Sequence, residues 1–343
     1  MIKDVLNRLI RKENISAAEA KQVMVMIMEG EATSAQIGSL LTALRMKGET
    51  TAEILGCAQA MRDKAQKIRS KHKNVIDTCG TGGDCSGTFN ISTTAAFVVS
   101  AGGVPVAKHG NRSVSSKSGS ADVLEALGVN IDLDARSAQK LLDDIGITFL
   151  FAPVFHQAMK YAIAPRNEIG FRSIFNLLGP LTNPAEANVQ LLGVPFPQMT
   201  EPLAEVLDQL GVERACVVHG AGGLDEASTV GLTKVSALKN GTIKTYFIDA
   251  SEFGFPKVSI KELFGGNAIK NAQITREILE GKKGPCRDIV IFNSALAFLA
   301  SGEVQDISEG ILVATDSIDT GKALGKLEEL IEASNRCRLQ EVI

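Results

Sequence analysis

From Asn74 onward, short apolar runs alternate with segments of helical periodicity. That alternation restricts a chain to parallel strands joined by crossover helices. Val75-Ile76 leads into a glycine cluster, and residues 104–107, 129–133, 147–151, 189–194, 215–218 and 288–292 read as strands. Residues 93–101, 121–127 and 135–145 read as helices between them. Asn240-Gly241 separates two alternating runs, 234–238 and 242–248, the pattern of a hairpin with a type I′ turn. Residues 1–70 follow a different rule. Three capping boxes punctuate them, Ser16-Ala17-Ala18-Glu19, Thr33-Ser34-Ala35-Gln36 and Thr50-Thr51-Ala52-Glu53, each ahead of an amphipathic run, and Gly30 and Gly48 stand where helices should stop. The expected fold class is therefore α/β: a small all-helical domain over 1–70 plus a large α/β domain over 74–343, with a mainly parallel central sheet and surrounding helices. The basic stretch 64–73 reads as a solvated helix end and linker. A second interruption, 165–188, holds Pro165, Pro180 and Pro184 and little β pattern. It is either a long loop or a return of the chain to the helical domain.

At 343 residues the chain exceeds what one core usually organises, in keeping with two domains. The formal net charge of −3 gives no electrostatic case for binding nucleic acid or an anionic membrane. The six cysteines form no Cys-x-x-Cys pair, so reduced thiols are expected rather than a zinc site. Cys79 and Cys85, which flank the glycine cluster, read as packing residues. Apolar residues at the N-terminus (Ile2, Val5, Leu6, Leu9, Ile10) fall at helical spacing, so neither a signal peptide nor a membrane anchor is expected. No apolar run is long enough to span a bilayer, and a cytoplasmic location is the expectation.

Four segments carry chemistry. Asp77-Thr78-Cys79-Gly80-Thr81-Gly82-Gly83-Asp84 follows a strand, and Asn90-Ile91-Ser92-Thr93 opens a helix. Glycines let the backbone turn its N–H groups onto an anion, and a helix start capped by Ser92 or Thr93 is itself an anion site. A diphosphate between the two is physically sensible; a tight turn without ligand reads the same. The loop is neither a P-loop nor a dinucleotide fingerprint. Residues 108–120 follow the next strand and combine Lys108, Arg112 and Lys117 with an amide and five serine hydroxyls, the mixture that phosphate recognition needs. His109 within it also reads as a structural histidine. Gly220-Ala221-Gly222-Gly223-Leu224-Asp225-Glu226 follows a third strand, and its two carboxylates suit Mg²⁺ held against phosphate oxygens, or a solvated acidic turn. Arg166, in Ala164-Pro165-Arg166-Asn167-Glu168-Ile169-Gly170 ahead of Gly179-Pro180, reads as a carboxylate clamp or as an ordinary surface arginine.

Together, Gly-Thr-Gly-Gly-Asp, Asn-Ile-Ser-Thr, Lys-His-Gly-Asn-Arg-x-x-Ser-Ser and the Asp-Glu pair resemble the anthranilate phosphoribosyltransferases of tryptophan biosynthesis, in motif order and over essentially the whole chain. The resemblance implies that phosphoribosyl diphosphate is bound by Gly80, Gly83, Asp84, Thr88, Asn90, Ile91, Ser92, Thr93 and Ser120. The run Lys108, His109, Gly110, Asn111, Arg112, Ser113, Val114, Ser115 and Ser116 would close over it. It implies Mg²⁺ at Ser92, Asp225 and Glu226, and anthranilate against Gly80, His109, Asn111, Arg166, Gly179 and Pro180. No residue is implied as a covalent nucleophile. The family fold has its active site at the hinge of a helical and an α/β domain, and its members pair as homodimers through the helical domain. Two alternatives share the scaffold. A pyrimidine nucleoside phosphorylase carries a different sequence after its Lys-His loop, and a non-catalytic nucleic-acid-binding relative has degraded donor loops and a basic surface.

Overall fold

The computed structural model describes residues 1–84, 86–113 and 117–340, with side chains to 337. The N-terminal segment is helical: α1 (Ile2–Ile10), α2 (Ala17–Met28), α3 (Ser34–Lys47) and α4 (Thr51–Lys64). All three capping boxes form. In each, the cap hydroxyl accepts the N3 amide proton while the N3 side chain accepts the cap's own N–H, so two otherwise unpaired donors are satisfied at once. Gly48 ends α3 at φ +89. Glu53 has a further duty: fully buried, it accepts from the backbone N–H of Ile15 (3.1 Å) and of Thr50 (2.8 Å) and from Lys47 Nζ (2.9 Å).

The remainder builds a seven-stranded sheet, β1 (Ile76–Gly80), β2 (Val106–Gly110), β3 (Ile147–Phe151), β4 (Val189–Gly193), β5 (Arg214–Gly220), β6 (Thr233–Lys239) and β7 (Thr242–Ile248), in the order β3-β2-β1-β4-β5-β6-β7. β1 to β5 are parallel; β6 and β7 close one edge antiparallel. The β6–β7 turn is the expected one, with Asn240 at φ +46 and Gly241 at φ +77. Helices α5 (Ile91–Ala101), α6 (Ser120–Leu127), α7 (Ala135–Ile145), α8 (Ala152–Phe155), α9 (Lys160–Ile169), α10 (Phe175–Leu181), α11 (Thr200–Gln209), α12 (Ala268–Leu279), α13 (Pro285–Ser301), α14 (Ile307–Asp319) and α15 (Lys322–Gln340) complete the chain.

Strand residues alternate between two cores, as a period of two requires. Ile76, Leu191, Val218 and Val235 face the core built with α5 and α13. Cys79, Leu192, Val217 and Leu238 face a second core shared with α1–α4. Ala162 of α9, Ile174, and Phe175, Leu178 and Leu181 of α10 are buried in that second core with the N-terminal helices.

Three strand expectations are corrected. Residues 288–292 lie inside α13, which is buried almost all round; a short apolar run in such a helix is indistinguishable by period from a buried strand. Residues 129–133 alternate in burial but join no ladder. Asn130 is tied instead to Ser334 of α15, through its N–H to Oγ (3.1 Å) and its Nδ2 to the carbonyl (3.3 Å). The strand expected at 104–107 runs instead from Val106 to Gly110; Pro105 ahead of it has no N–H to give a ladder, and only its carbonyl bonds across, to Ile76 N–H.

Candidate active site

The strand order reverses between β1 and β4, since the chain passes from β1 to β2 and β3 on one side and returns to β4 on the other. A crevice beyond the carboxyl ends of the strands forms at such a switch point. The glycine loop lies there, and Thr81 N–H donates to the carbonyl of Gly193 at the end of β4 (3.0 Å). The segment after β5 crosses both strand ends. A Cβ on Gly193 would stand 1.5 Å from the Asp225 carbonyl oxygen, and one on Gly80 would stand 2.3 Å from Asp225 Oδ2. Only glycine fits at either place, and that is what lets Asp225 reach the loop, where Oδ2 accepts from Gly82 N–H at 2.7 Å.

Glu226 lands one element further on: its Oε1 accepts from Ser92 N–H at the start of α5 (3.1 Å). The cap of α5 is Asn90, not Ser92 or Thr93, and Asn90 makes no capping bond through its side chain. The carboxylate of Glu226 takes that place at the positive end of the helix. Asp225 and Glu226, expected to work as a pair, thus hold two different anion-binding backbones.

Charge here is poorly matched. Burial, and then the neighbouring Asp84, push the Asp225 carboxyl up to about 7. Burial, and then Asp225, push Glu226 up to about 8, with Lys108 opposing. Lys108 itself is buried and donates through Nζ to the carbonyl of Thr78. Among the described residues no three His, Cys, Asp or Glu side chains form a metal cluster. Two buried neighbouring carboxylates that raise each other fit Mg²⁺, which binds through one or two carboxylates and completes its shell with phosphate oxygens and water.

Behind β2 lies a second group. His109 is buried, and its Nδ1 meets the carbonyl of Gly179 in α10 at 2.9 Å. A carbonyl only accepts, so Nδ1 carries the proton and Nε2 is a lone pair, which meets no hydrogen-bond partner. Burial, then His156 with its ring centroid 5.1 Å away, holds His109 down at about 3, so it is neutral. Asp77 orients the strand beneath: it accepts from His109 N–H (3.2 Å) and from Asn183 Nδ2 (2.8 Å). Arg166 in α9 is half-buried, and burial followed by the nearby Arg172 lowers its basicity.

Arg172 is a residue that sequence reasoning missed. Its Nη2 donates to the carbonyls of Thr81 (3.1 Å) and Gly82 (2.6 Å), so the segment bearing Arg166 grips the glycine loop directly. A Cβ on Gly83 would stand 1.2 Å from Arg172 Nη1. Arg166 and Arg172 are six residues apart, and only the packing of α9 and α10 decides which one reaches the loop.

The other expected residues scatter around this centre. Thr88 bridges to Phe264, Thr93 is buried in the first turn of α5, and Ser120 Oγ donates to the Asn111 carbonyl (3.3 Å). Gly110 ends β2, and Asn111 beyond it is exposed. Pro180 follows Gly179 in α10, and its carbonyl accepts from Gln190 Nε2 at 2.6 Å. Ser113 N–H donates to Asp122 Oδ2 (3.0 Å). Two residues are engaged with other parts of the chain. Ile91 buries its side chain in the core and donates its N–H to the Phe89 carbonyl (2.9 Å). Arg112 is paired with Asp122 (3.1 Å) and Glu125 (2.8 Å) and stacked over Phe151, so its charge is spent on α6 and β3. Val114, Ser115, Ser116 and Cys85 lie outside the described residues. Cys79 packs as expected and accepts from Gln190 Nε2 at 3.2 Å.

Residues 3–65 match the glycosyl transferase family helical bundle domain, and residues 72–324 match the glycosyl transferase family a/b domain. The chain is 55% identical over 335 residues to an anthranilate phosphoribosyltransferase of Acetivibrio thermocellus, covering 98% of this chain and 97% of that protein. It is 53% identical over 332 residues to one from Pelotomaculum thermopropionicum, covering 97% and 96%. Among solved structures, the anthranilate phosphoribosyltransferase of Thermus thermophilus superposes with a TM-score of 0.91 at 40% identity, over 97% of this chain and 99% of that one. The Saccharomyces cerevisiae enzyme in complex with PRPP and Mg superposes with a TM-score of 0.90 at 28% identity, over 98% of each chain.

Proposed function

The chain belongs to the anthranilate phosphoribosyltransferase family, and from that premise we propose how its residues divide the work between two substrates. The enzyme moves the phosphoribosyl group of 5-phosphoribosyl 1-diphosphate onto the amine of anthranilate, giving N-(5-phosphoribosyl)anthranilate and pyrophosphate in tryptophan biosynthesis. Mg²⁺ is the cofactor and supplies positive charge to the departing pyrophosphate. The observation that carries the residue assignment is the docking of Asp225 on Gly82 N–H and of Glu226 on Ser92 N–H, which sets two carboxylates against two anion-binding backbones at the switch point.

In this reading Asp225, Glu226 and Ser92 hold the metal, directly or through water. Gly80, Gly83, Asp84, Thr88, Asn90, Thr93, Lys108 and Ser120 surround the donor. Lys108, in the middle of β2 and fixed on Thr78 of β1, stabilises charge that grows on the leaving group, where it counts most toward rate. Anthranilate lies against His109, Asn111, Arg166 and Gly179-Pro180. The Arg166 guanidinium donates to its carboxylate, and the lone pair on His109 Nε2 accepts from its amine. An arylamine is already neutral at ordinary pH, so it needs orientation rather than a strong base, and displacement at the ribose C1 proceeds without a covalent enzyme intermediate.

Loss of anthranilate fluorescence on adding phosphoribosyl diphosphate and Mg²⁺ reads the reaction directly. Asp225→Asn with Glu226→Gln is expected to lower the rate by about a hundredfold or more and to weaken the Mg²⁺ dependence. A normal Mg²⁺ titration in that double variant removes the metal assignment. Phosphorolysis of thymidine by the wild type would favour the phosphorylase alternative instead.

The helical unit is taken as 1–70 with the returning segment near 165–188, and the α/β unit as 74–343. We also propose a homodimer through the helical unit. Supporting it is an apolar groove of about 790 Å³ lined by Leu9, Ile10, Met46, Pro165 and Ile169, beside which Ile10 and Met46 stand 70% and 77% exposed. Among the described residues no helix is long and apolar enough to cross a membrane. A cytoplasmic location follows from the charged, phosphorylated donor, which does not cross membranes unaided.

A further inference from the structure

Asn271 lies outside every motif above, 181 residues beyond Asn90, and is 2% exposed. Its side chain sits in a chain of three hydrogen bonds. Gly266 N–H donates to Asn271 Oδ1 (2.7 Å), Asn271 Nδ2 donates to Asn90 Oδ1 (2.9 Å), and Asn90 Nδ2 donates to the carbonyl of Ser118 (3.2 Å). Both ends are unambiguous, because a backbone N–H only donates and a carbonyl only accepts. Neither amide can flip without setting two oxygens or two N–H groups against each other. The same segment braces the donor loop through its backbone: Phe89 N–H donates to Leu263 O (3.1 Å), Gly265 N–H donates to Gly87 O (2.9 Å), and Thr88 bridges to Phe264. The approach is close enough that a Cβ on Gly265 would stand 2.8 Å from Phe89 N.

We propose that Asn271 is a positioning residue for the phosphoribosyl donor: it sets the direction of the Asn90 amide and, through Asn90, ties the loop after β2 at Ser118 to the start of α5. The inference rests on the reading that Asn90 belongs to the donor site. A side chain held by two oriented bonds loses little freedom when the donor arrives, so the relay lowers the cost of binding the donor and leaves anthranilate untouched.

The test compares Asn271→Ala, Asn271→Asp, Asn90→Ala and the Asn90→Ala/Asn271→Ala double variant in steady-state kinetics. Asn271→Asp keeps the size and the Gly266 bond but has no donor for Asn90, so it carries the test if Asn271→Ala fails to fold. Either substitution at 271 is expected to raise KM for phosphoribosyl diphosphate by about tenfold, with KM for anthranilate changed by less than about twofold. The double variant should bind the donor no worse than Asn90→Ala alone, because residues acting through one another do not add. A merely structural role would lower kcat through loss of active enzyme and leave both KM values alone. If Asn90→Ala raises the donor KM while both 271 variants leave it unchanged, or if the two effects multiply, the relay is wrong. If Asn90→Ala leaves the donor KM unchanged, the donor assignment of Asn90 falls and the relay with it.

Discussion

His109 and His156 face each other inside the protein, and burial is the first cause that holds them at about 3 and about 4. Both are therefore neutral in the fold, while in the unfolded chain they titrate near their ordinary value of 6.5. As pH falls through 6.5, the unfolded chain takes up protons that the fold refuses, and stability falls by roughly 1.4 kcal/mol per pH unit for each histidine. Asp77 works the other way: raised to about 6 by burial, it is protonated first in the fold and offsets part of that loss. Replacing His156 with Asn should flatten the decline in denaturation midpoint between pH 7.5 and 5.5; an unchanged slope would mean that the ring is charged in the fold. The types of the site residues were legible in the sequence because glycine, lysine and carboxylate each have few reasons to stand at a strand's end. Their partners were not. That Asp225 would settle on Gly82 and Glu226 on Ser92 depends on where the segment after β5 crosses β4, and on Gly193, which no motif singled out.

The helical N-terminus was readable element by element because capping boxes are local: the donor, acceptor and spacing lie within four residues. One of them exceeds its local rule. Glu53 joins the α1–α2 loop to α4 and pairs with Lys47, both buried at their charged ends. Removing one partner of a buried pair strands the other, so Glu53→Ala should cost about 3–5 kcal/mol in urea unfolding. A loss under about 1 kcal/mol would reduce Glu53 to an ordinary cap. The misread elements, 129–133 and 288–292, are those where period alone decides nothing. Residues 288–292 are buried on nearly every side, so their period says nothing, whereas 129–133 alternates as a strand does but is tied to Ser334 of α15 instead of a ladder.

For the molecule as a whole, the apolar groove beside α1, α3 and α9 is a candidate interface, and it sits on the side of the chain that carries the return segment bearing Arg166. Ile10→Glu with Met46→Glu is expected to turn a dimer into a monomer in sedimentation, with the donor KM little changed; a wild type that sediments as a monomer at micromolar concentration would end the dimer proposal. The sequence by itself determined the architecture and the ingredients: a helical start, a parallel sheet, a glycine loop, a cationic loop and a carboxylate pair. Each of these is encoded in spacing over a few residues, where backbone geometry leaves little choice. Only the tertiary structure decided that Arg172 grips the glycine loop, that Arg112 is turned onto α6, and that Asn271 sets the direction of Asn90. These contacts join residues that local spacing does not relate, some of them far apart in the chain, and their geometry follows from strand order and helix packing.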